Sequence, residues 1–512
     1  MSEKPVVVIG AGIAGLSACI RLLAAGREVV VFEGAESVGG KMRQVSTAAG
    51  PVDSGPTVFT MPSAFESLLD GIGLRLADVV NMKPLTLLAR HAWDTEARLD
   101  LFASRERSAE AIGELAGPEE ARGYLAFCRE AGRMYELLES AMLTAPRPNP
   151  LSLAWRGRHH GLRALLGLKP FTTLWPALGR HFRDPRLQQL FGRYATYCGS
   201  SPWQAPATLM LIAHLEQEGV WQLKGGMQSL ADGLADAARR RGARFINGEW
   251  AAEIERRNGR VGAVIGDQGT RVACDAVVCN ADPEALRQGL LGPAPQAAVV
   301  SQASGERSLS AMTWAGTARA EGLPLAFHTV CFSRDYQREF RQLFGEGAIP
   351  TEPTVYLCAQ DRAEGSPTSA DAERIFCLIN APANGDTHHY SEQEIEQCQH
   401  QVQKILKDCG LQLSFDPEQT LVRTPTDFAQ RFPGSGGAIY GRATHGWQAA
   451  FRRPGSKTRL PGLYLAGGGV HPGAGVPMVS LSGRLAAERL LQDQASTQRS
   501  WPAATAGGTS TR

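Results

Sequence analysis

A chain of 512 residues, 43% hydrophobic and 20% charged, has the material for roughly two to four domains with substantial cores. Its net charge of +2 gives no reason to expect nucleic acid as a partner. Ten scattered cysteines, without a CxxC pair or metal-ligand spacing, argue for packed, reduced thiols in a cytoplasmic protein.

The first element is the β-branched run Val6-Val7-Val8-Ile9, which reads as a parallel strand buried on both faces. It lacks the basic flank and cleavage site of a signal peptide. No window of about 18 residues is free of charge, which argues against a transmembrane helix. Gly10-Ala11-Gly12-Ile13-Ala14-Gly15 follows, then a helical stretch with Leu16, Ile20 and Leu23 on one face. A second strand, Val29 to Phe32, ends on Glu33. This spacing has a physical logic. Gly10 makes the tight turn, Gly12 admits a pyrophosphate to the backbone, and Gly15 lets helix and strand pack closely. The helix N-terminus then faces the phosphates, and Glu33 can accept hydrogen bonds from a ribose diol. NAD and FAD both use such a turn. A second glycine pair, Gly39-Gly40-Lys41, and the segment "VDSGPTVF" at 52 to 59 come next.

Further along, "KGGMQSLADGLADAARRRGARFINGEW" (224 to 250) predicts a turn at Gly225-Gly226 and a helix with Met227, Leu230, Leu234 and Ala238 inward. The strand Arg244 to Ile246 ends that stretch. A hairpin turns at Asn258-Gly259, and "CDAVVCNADP" is a short buried strand ending at Asn280, either a turn residue or a site residue. In the second half, "PTVYLCAQD" and "RIFCLINAPAN" read as strands of a mixed sheet. "GSGGAIYG" (434 to 441) lacks a preceding β run and a following acid, so it reads as a loop rather than a second dinucleotide turn. "YLAGGGVHPGAGVPM" (464 to 478) ends a last strand, Leu463 to Ala466, in a glycine-rich loop that opens a helix at Val476. His471 has no second ligand at metal spacing. It reads as a structural histidine or, alternatively, a proton acceptor. The tail 493–512, rich in Ser, Thr, Ala and Gly, reads as disordered.

The glycine pair behind the acid resembles the FAD-containing amine-oxidase and phytoene-desaturase superfamily, in which an Arg commonly stands at the place of Lys41. Lysine keeps the charge but not the bidentate fork. "VDSGPTVFTMP", "GSSPWQAPATLMLIAHLEQEGVWQLKGGMQSLADGL" and "LYLAGGGVHPGAGVPMVSLSGRLAAERL" look like bacterial carotenoid desaturases of the phytoene-desaturase type. "GRYATYCGSSP" paired with "VPMVSLSGR" is most similar to the hydroxyneurosporene desaturases of purple photosynthetic bacteria, also called methoxyneurosporene dehydrogenases or hydroxycarotenoid 3,4-desaturases. The resemblance covers nearly the whole chain.

It implies an α/β fold in which a Rossmann-like FAD-binding domain is assembled from residues 1–75, 215–300 and 440–492. Residues 76–214 and 301–439 would form an inserted α+β domain facing substrate and membrane. FAD would be held by Gly10, Gly12, Ala14, Gly15, Glu33, Gly39, Gly40, Lys41, Ala251, Gly467, Gly468, Val476, Pro477 and Met478. The implied reaction removes two hydrogens from the C3–C4 bond of a 1-hydroxy- or methoxy-neurosporene-type polyene, with flavin taking the hydride. Electrons would leave to oxygen or a quinone, since no second dinucleotide fold is present. Tyr194, Tyr197 and Trp203 are channel candidates or ordinary core aromatics. The substrate would be drawn from the inner or photosynthetic membrane. Residues 151–193, with eight Lys or Arg, the single acid Asp184 and interleaved aromatics, suit an anionic membrane surface. Other readings stay open: a phytoene desaturase, a carotene cis–trans isomerase, a flavin amine or porphyrinogen oxidase, and a non-enzymatic prenyl-binding protein of the same fold.

Overall fold

The structure, a computed structural model, describes residues 4–139, 171–299, 307–362 and 372–499. Its first layer is a five-stranded sheet in the order Leu463–Leu465, Ala276–Cys279, Val6–Ile9, Val29–Glu33, Arg244–Asn247. Every neighbouring pair is parallel. Alternation along the strands decides what each face covers. Val6, Val8, Val29, Val31 and Val278 pack on helices Ile13–Ala24, Gln228–Arg240 and Val476–Arg499 through Leu16, Ile20, Leu234 and Leu490. Val7, Ile9, Val30, Phe32 and Val277 face the opposite way, onto Ile254, Val261, Val264 and Val272 of a three-stranded antiparallel sheet. Both faces are therefore dry, which explains the unbroken β-branched run in the central strand. The chain crosses from Val29–Glu33 on one side of that strand to Ala276–Cys279 on the other. Ligands bind such sheets at the carboxyl ends of strands flanking a reversal of this kind.

The second layer is a seven-stranded sheet in the order Leu411–Arg423, Ser310–Gly322, Glu373–Ala381, Val355–Ala359, His328–Cys331, Leu87–Ala92, Arg98–Phe102. Its pairs are antiparallel except His328–Cys331 with Leu87–Ala92. Met312, Trp314, Ile375, Cys377 and Ile379 pack toward the helix Glu392–Asp408, against its Cys398, Val402, Ile405 and Leu406. The alternate residues Ala311, Thr313, Phe376 and Leu378 turn to the cavity between the layers. A helical subdomain built on Pro118–Leu138, Leu174–Leu178, Pro185–Gly192 and Leu211–Gln217 packs beside this sheet around Phe127, Phe182 and Phe191.

Both strands foreseen in the second half are present, as Val355–Ala359 and Glu373–Ala381. The tail differs from its composition. The helix begun at Val476 continues to Arg499, and Asp493 on it accepts from Tyr464 Oη at 3.0 Å and pairs with Lys457 at 2.9 Å. Side-chain anchoring on the last strand of the parallel sheet thus overrides a helix-poor composition, and the rest of the tail lies outside the described residues. Among the described residues no helix is long and apolar enough to cross a membrane.

Candidate active site

The first wall of the cavity is made of backbone. Gly10 N–H donates to Phe32 O at 2.7 Å, closing the turn at the end of the central strand, with φ of +91°. Gly12 caps the helix Ile13–Ala24 in extended conformation and without a side-chain cap, so the N–H groups of the first turn stay available to a ligand. A Cβ on Gly12 would lie 2.9 Å from Asn280 Nδ2, and one on Gly40 would lie 3.1 Å from the Gly12 Cα. Gly39 N–H donates to Ala11 O at 2.9 Å, locking the two glycine turns face to face. Ala14 lines the cavity. Gly15 does not, because it serves packing: a Cβ there would strike Gly10 O at 1.9 Å.

Glu33 is fixed by Ala11 N–H at 2.7 Å to one carboxylate oxygen and by Ala35 N–H at 3.0 Å to the other. Each oxygen keeps further lone-pair capacity for a diol. Ala251 lines the same end beside Trp250, whose indole is 47% exposed and lies against Gly34.

Lys41 reaches across the cavity. Its Nζ donates to Ile439 O at 2.7 Å and lies 5.2 Å from the centre of the Phe432 ring. Its side chain is exposed to the open cavity, yet the surrounding protein atoms pull it partly out of water and push its amine below the ordinary lysine value, with Asp282 opposing the shift. This contact brings the loop 434–441 into the site, where Ser435, Ile439, Tyr440 and Gly441 line the wall. Glycine content marked that loop in the sequence, but nothing local placed it here.

The third piece is the loop after Leu463–Leu465. Gly467 sits at φ +121°, with its N–H on Ser482 Oγ at 3.1 Å; a Cβ there would be 2.8 Å from Asn280 Oδ1. Asn280 therefore stands between the first turn and the last loop. Gly468, Val476, Pro477 and Met478 line the cavity, the last three as the first turn of the helix Val476–Arg499. Arg453, which the sequence reading missed, pins this loop by donating to Gly468 O at 2.8 Å and to Thr444 Oγ1 at 3.0 Å. No spacing signal marks it. His471 is 3% exposed, its N–H bonds Pro454 O at 2.9 Å, and it is not among the residues lining the cavity, although Pro472 and Gly473 are.

Beyond the cradle the cavity, about 870 Å³ in all, continues as a chamber walled by Val58, Leu209, Ile212, Leu215, Phe376 and Leu378. A polar group interrupts that apolar wall. Glu216 accepts from the hydroxyls of Tyr194 and Tyr197, both at 2.7 Å, and burial raises its carboxyl above the ordinary value. Tyr356 Oη bonds Thr57 at 2.6 Å and His328 Nδ1 at 2.7 Å. Burial, with the charge of Arg193 adding, lowers both His328 and His91 to about 3. Of the channel candidates, Tyr197 lines the chamber, whereas Tyr194 stands behind it and Trp203 stacks on Trp175 with ring centres 4.4 Å apart.

Two glycine turns, an acid at a strand end, a helix-opening third loop and a mixed sheet roofing the cavity together decide the assignment. The chain belongs to the flavin-containing amine oxidoreductase family. The family model matches residues 13–491. The chain is 48% identical to the hydroxyneurosporene desaturase of Rubrivivax gelatinosus over 508 residues, covering 99% of this chain and 97% of that one. It is 43% identical to the enzyme of the same name from Rhodobacter capsulatus, covering 97% and 100%. A 1-hydroxycarotenoid 3,4-desaturase from a Flavobacterium is 29% identical, covering 95% and 98%. Among solved structures, an oxidoreductase from Methanosarcina mazei aligns with a TM-score of 0.59 at 18% identity, covering 96% and 100%. Putrescine oxidase bound to putrescine aligns with the same score at 13% identity, covering 96% and 99%. These two share the fold. FAD is the cofactor of this flavoprotein, and the residues present fit it: Cβ atoms at Gly12, Gly40 and Gly467 would crowd the cleft between the three loops.

Proposed function

We propose that this flavoprotein desaturates an acyclic carotenoid, of the 1-hydroxy- or methoxy-neurosporene type, at the C3–C4 bond. The observation that carries the reading is one continuous cavity leading from a dinucleotide cradle into an apolar chamber. The relatives, two hydroxyneurosporene desaturases and a 1-hydroxycarotenoid 3,4-desaturase, suggest the class of polyene. In this reading residues 1–75, 215–300 and 440–492 form the cofactor domain, and 76–214 with 301–439 form the substrate side.

FAD, when bound, supplies the acceptor for a hydride. The chain does the rest. N–H groups at Gly12 and at the helix opening on Val476 would offer positive dipole ends to the cofactor's negative groups, and Glu33 would accept from its ribose. Lys41 adds a positive charge at the second glycine turn. Phe376 and Leu378 from the sheet, with Ile212 and Leu215 from the helix Leu211–Gln217, exclude water and align the polyene. His471, turned off the cavity, has a structural role.

Incubating the protein with FAD and acyclic carotenes with and without a 1-hydroxy group tests this. The expected product is two hydrogens lighter, with its absorption shifted to the red. A product of unchanged mass and altered geometry identifies an isomerase instead, and a colourless protein that binds the polyene identifies an escort.

We further propose that electrons leave to oxygen or a quinone, and that the substrate is collected at a membrane surface. Residues 151–170 of the basic stretch, with Arg156, Arg158 and Arg163, lie outside the described residues. In the described part Phe171 is 81% exposed and packs edge-on against Trp447, itself 38% exposed, at 5.5 Å. Exposed aromatics of this kind suit the shallow acyl region. Flotation with anionic vesicles should show binding that Phe171→Ser with Trp447→Ser reduces; a protein that ignores the vesicles ends this part of the proposal.

A further inference from the structure

Arg193 is a charged group in the cavity wall that the reaction described above leaves unused. It follows the helix Pro185–Gly192, and its guanidinium faces the cavity. Of its five N–H donors, one bonds a described residue, at 3.3 Å to Tyr197 Oη. No carboxylate among the described residues is close enough to form an ion pair with it. Its guanidinium carbon lies 5.4 Å from the ring centres of both Tyr197 and Tyr356, at cation–π distance. The carboxylate of Glu216, bonded to the same Tyr197, helps keep the guanidinium charged without taking its N–H groups, which leaves donors to spare for an acceptor that a ligand brings.

The neighbours hold it in that state. Glu216 takes the hydroxyl protons of Tyr194 and Tyr197, so Tyr197 Oη offers its lone pairs to Arg193. Tyr356 spends its hydroxyl on Thr57 and His328. The guanidinium edge left over is a donor fork for an oxygen atom.

Its position restricts which oxygen. Gly55 lies against Lys41 O, where a Cβ would come within 2.0 Å, so the segment carrying Thr57 is tied to the second glycine turn of the cradle. Thr57 bonds Tyr356, against whose ring Arg193 packs. The fork is therefore near the cofactor end of the chamber, not at a distant tunnel mouth. A 1-hydroxycarotenoid oxidised at C3–C4 carries its oxygen on C1, with only C2 between that carbon and the reacting bond. An oxygen-binding group for such a substrate must lie toward the cradle, the side to which Thr57 and Tyr356 tie Arg193.

We infer that Arg193, oriented by Tyr197, Tyr356 and Glu216, recognises the C1 oxygen of the polyene and sets the enzyme's preference for an oxygenated over a hydrocarbon end. This rests on the desaturase reading above. The test compares 1-hydroxyneurosporene with neurosporene on the FAD-loaded protein, by kcat/KM and by quenching of tryptophan fluorescence on polyene binding. The wild-type protein should prefer the hydroxylated polyene in both measurements. Arg193→Met should shrink that preference by about 10- to 100-fold, the range of one hydrogen bond to a charged group. Arg193→Lys should restore part of it, since a point charge lacks the fork. If Arg193→Met does not fold, Tyr197→Phe removes the acceptor that orients the guanidinium and should reduce the preference more mildly. Equal losses on both polyenes, an unchanged preference, or a loss of bound FAD alone would each overturn the inference. Failure of the desaturase reading itself looks different: the wild-type protein would then turn over neither polyene.

Discussion

At the cradle Gly10, Gly12, Gly39, Gly40 and Gly467 present bare backbone, held in place by contacts such as Gly39 N–H on Ala11 O. Across the same cavity Arg193, Tyr197, Glu216 and Tyr356 present side chains drawn from a helix end, a second helix and a sheet strand. The cradle must admit a phosphate-bearing cofactor at backbone distance, so what matters is the lack of Cβ atoms. On the proposal above the chamber discriminates between long, similar polyenes, so what would matter is which polar atoms interrupt an apolar wall. Tolerance to substitution should differ accordingly: the cradle fails by crowding, whereas the chamber fails by lost hydrogen bonds and altered charge.

The largest effect separating the two should come from Gly12→Val. Its side chain meets Asn280 and fills the cleft between the glycine turns, so the purified protein should be folded by circular dichroism but colourless. Full FAD occupancy would remove the cradle assignment.

Next is acid sensitivity, which belongs to two histidines off the cavity, one of them bonded to the chamber residue Tyr356. His91 and His328 are held at about 3, against 6.5 when unfolded. Above pH 6.5 neither state is protonated and no cost arises. Below it the unfolded chain takes up protons that the folded chain refuses, so stability falls from pH 6.5 down toward 3. Each histidine contributes at most about 1.4 kcal/mol per pH unit. Thermal melts between pH 7 and 5 should show this slope, and His91→Phe should flatten it; an unchanged slope would show that His91 titrates normally.

Glu33→Gln should weaken FAD binding by about 1.5–3 kcal/mol, the worth of a hydrogen bond to a charged acceptor, read by equilibrium dialysis. The smallest effect is expected from Tyr356→Phe. Losing the bonds to Thr57 and His328 should cost about 1–2 kcal/mol of stability in denaturant titration, with a smaller change in FAD affinity. A larger effect on FAD than on stability would move Tyr356 from the chamber to the cradle.

The cradle was legible because each of its parts is local. A β-branched run, a glycine turn and an acid 23 residues beyond Gly10 are covalently spaced, and that spacing allows few backbone geometries. The third loop was legible for the same reason, as glycines between a strand and a helix. Its pinning residue Arg453 was not, since an arginine before a strand has no local signature. The chamber was largely invisible. Tyr194, Tyr197 and Trp203 looked alike as candidates within ten residues, yet one lines the cavity, one supports it from behind and one packs elsewhere.

What the sequence determined by itself is therefore the cofactor half: strand, turn and helix follow from steric limits on neighbouring residues and from glycine's freedom at positions such as Gly10 and Gly467. What only the tertiary structure decided is which polar groups meet in the chamber. Tyr356 is distant in the chain from Arg193 and Glu216, and Thr57 bonds that tyrosine 299 positions away. Their meeting is fixed by how the helical subdomain and the mixed sheet pack over the parallel sheet, and no local pattern encodes that packing.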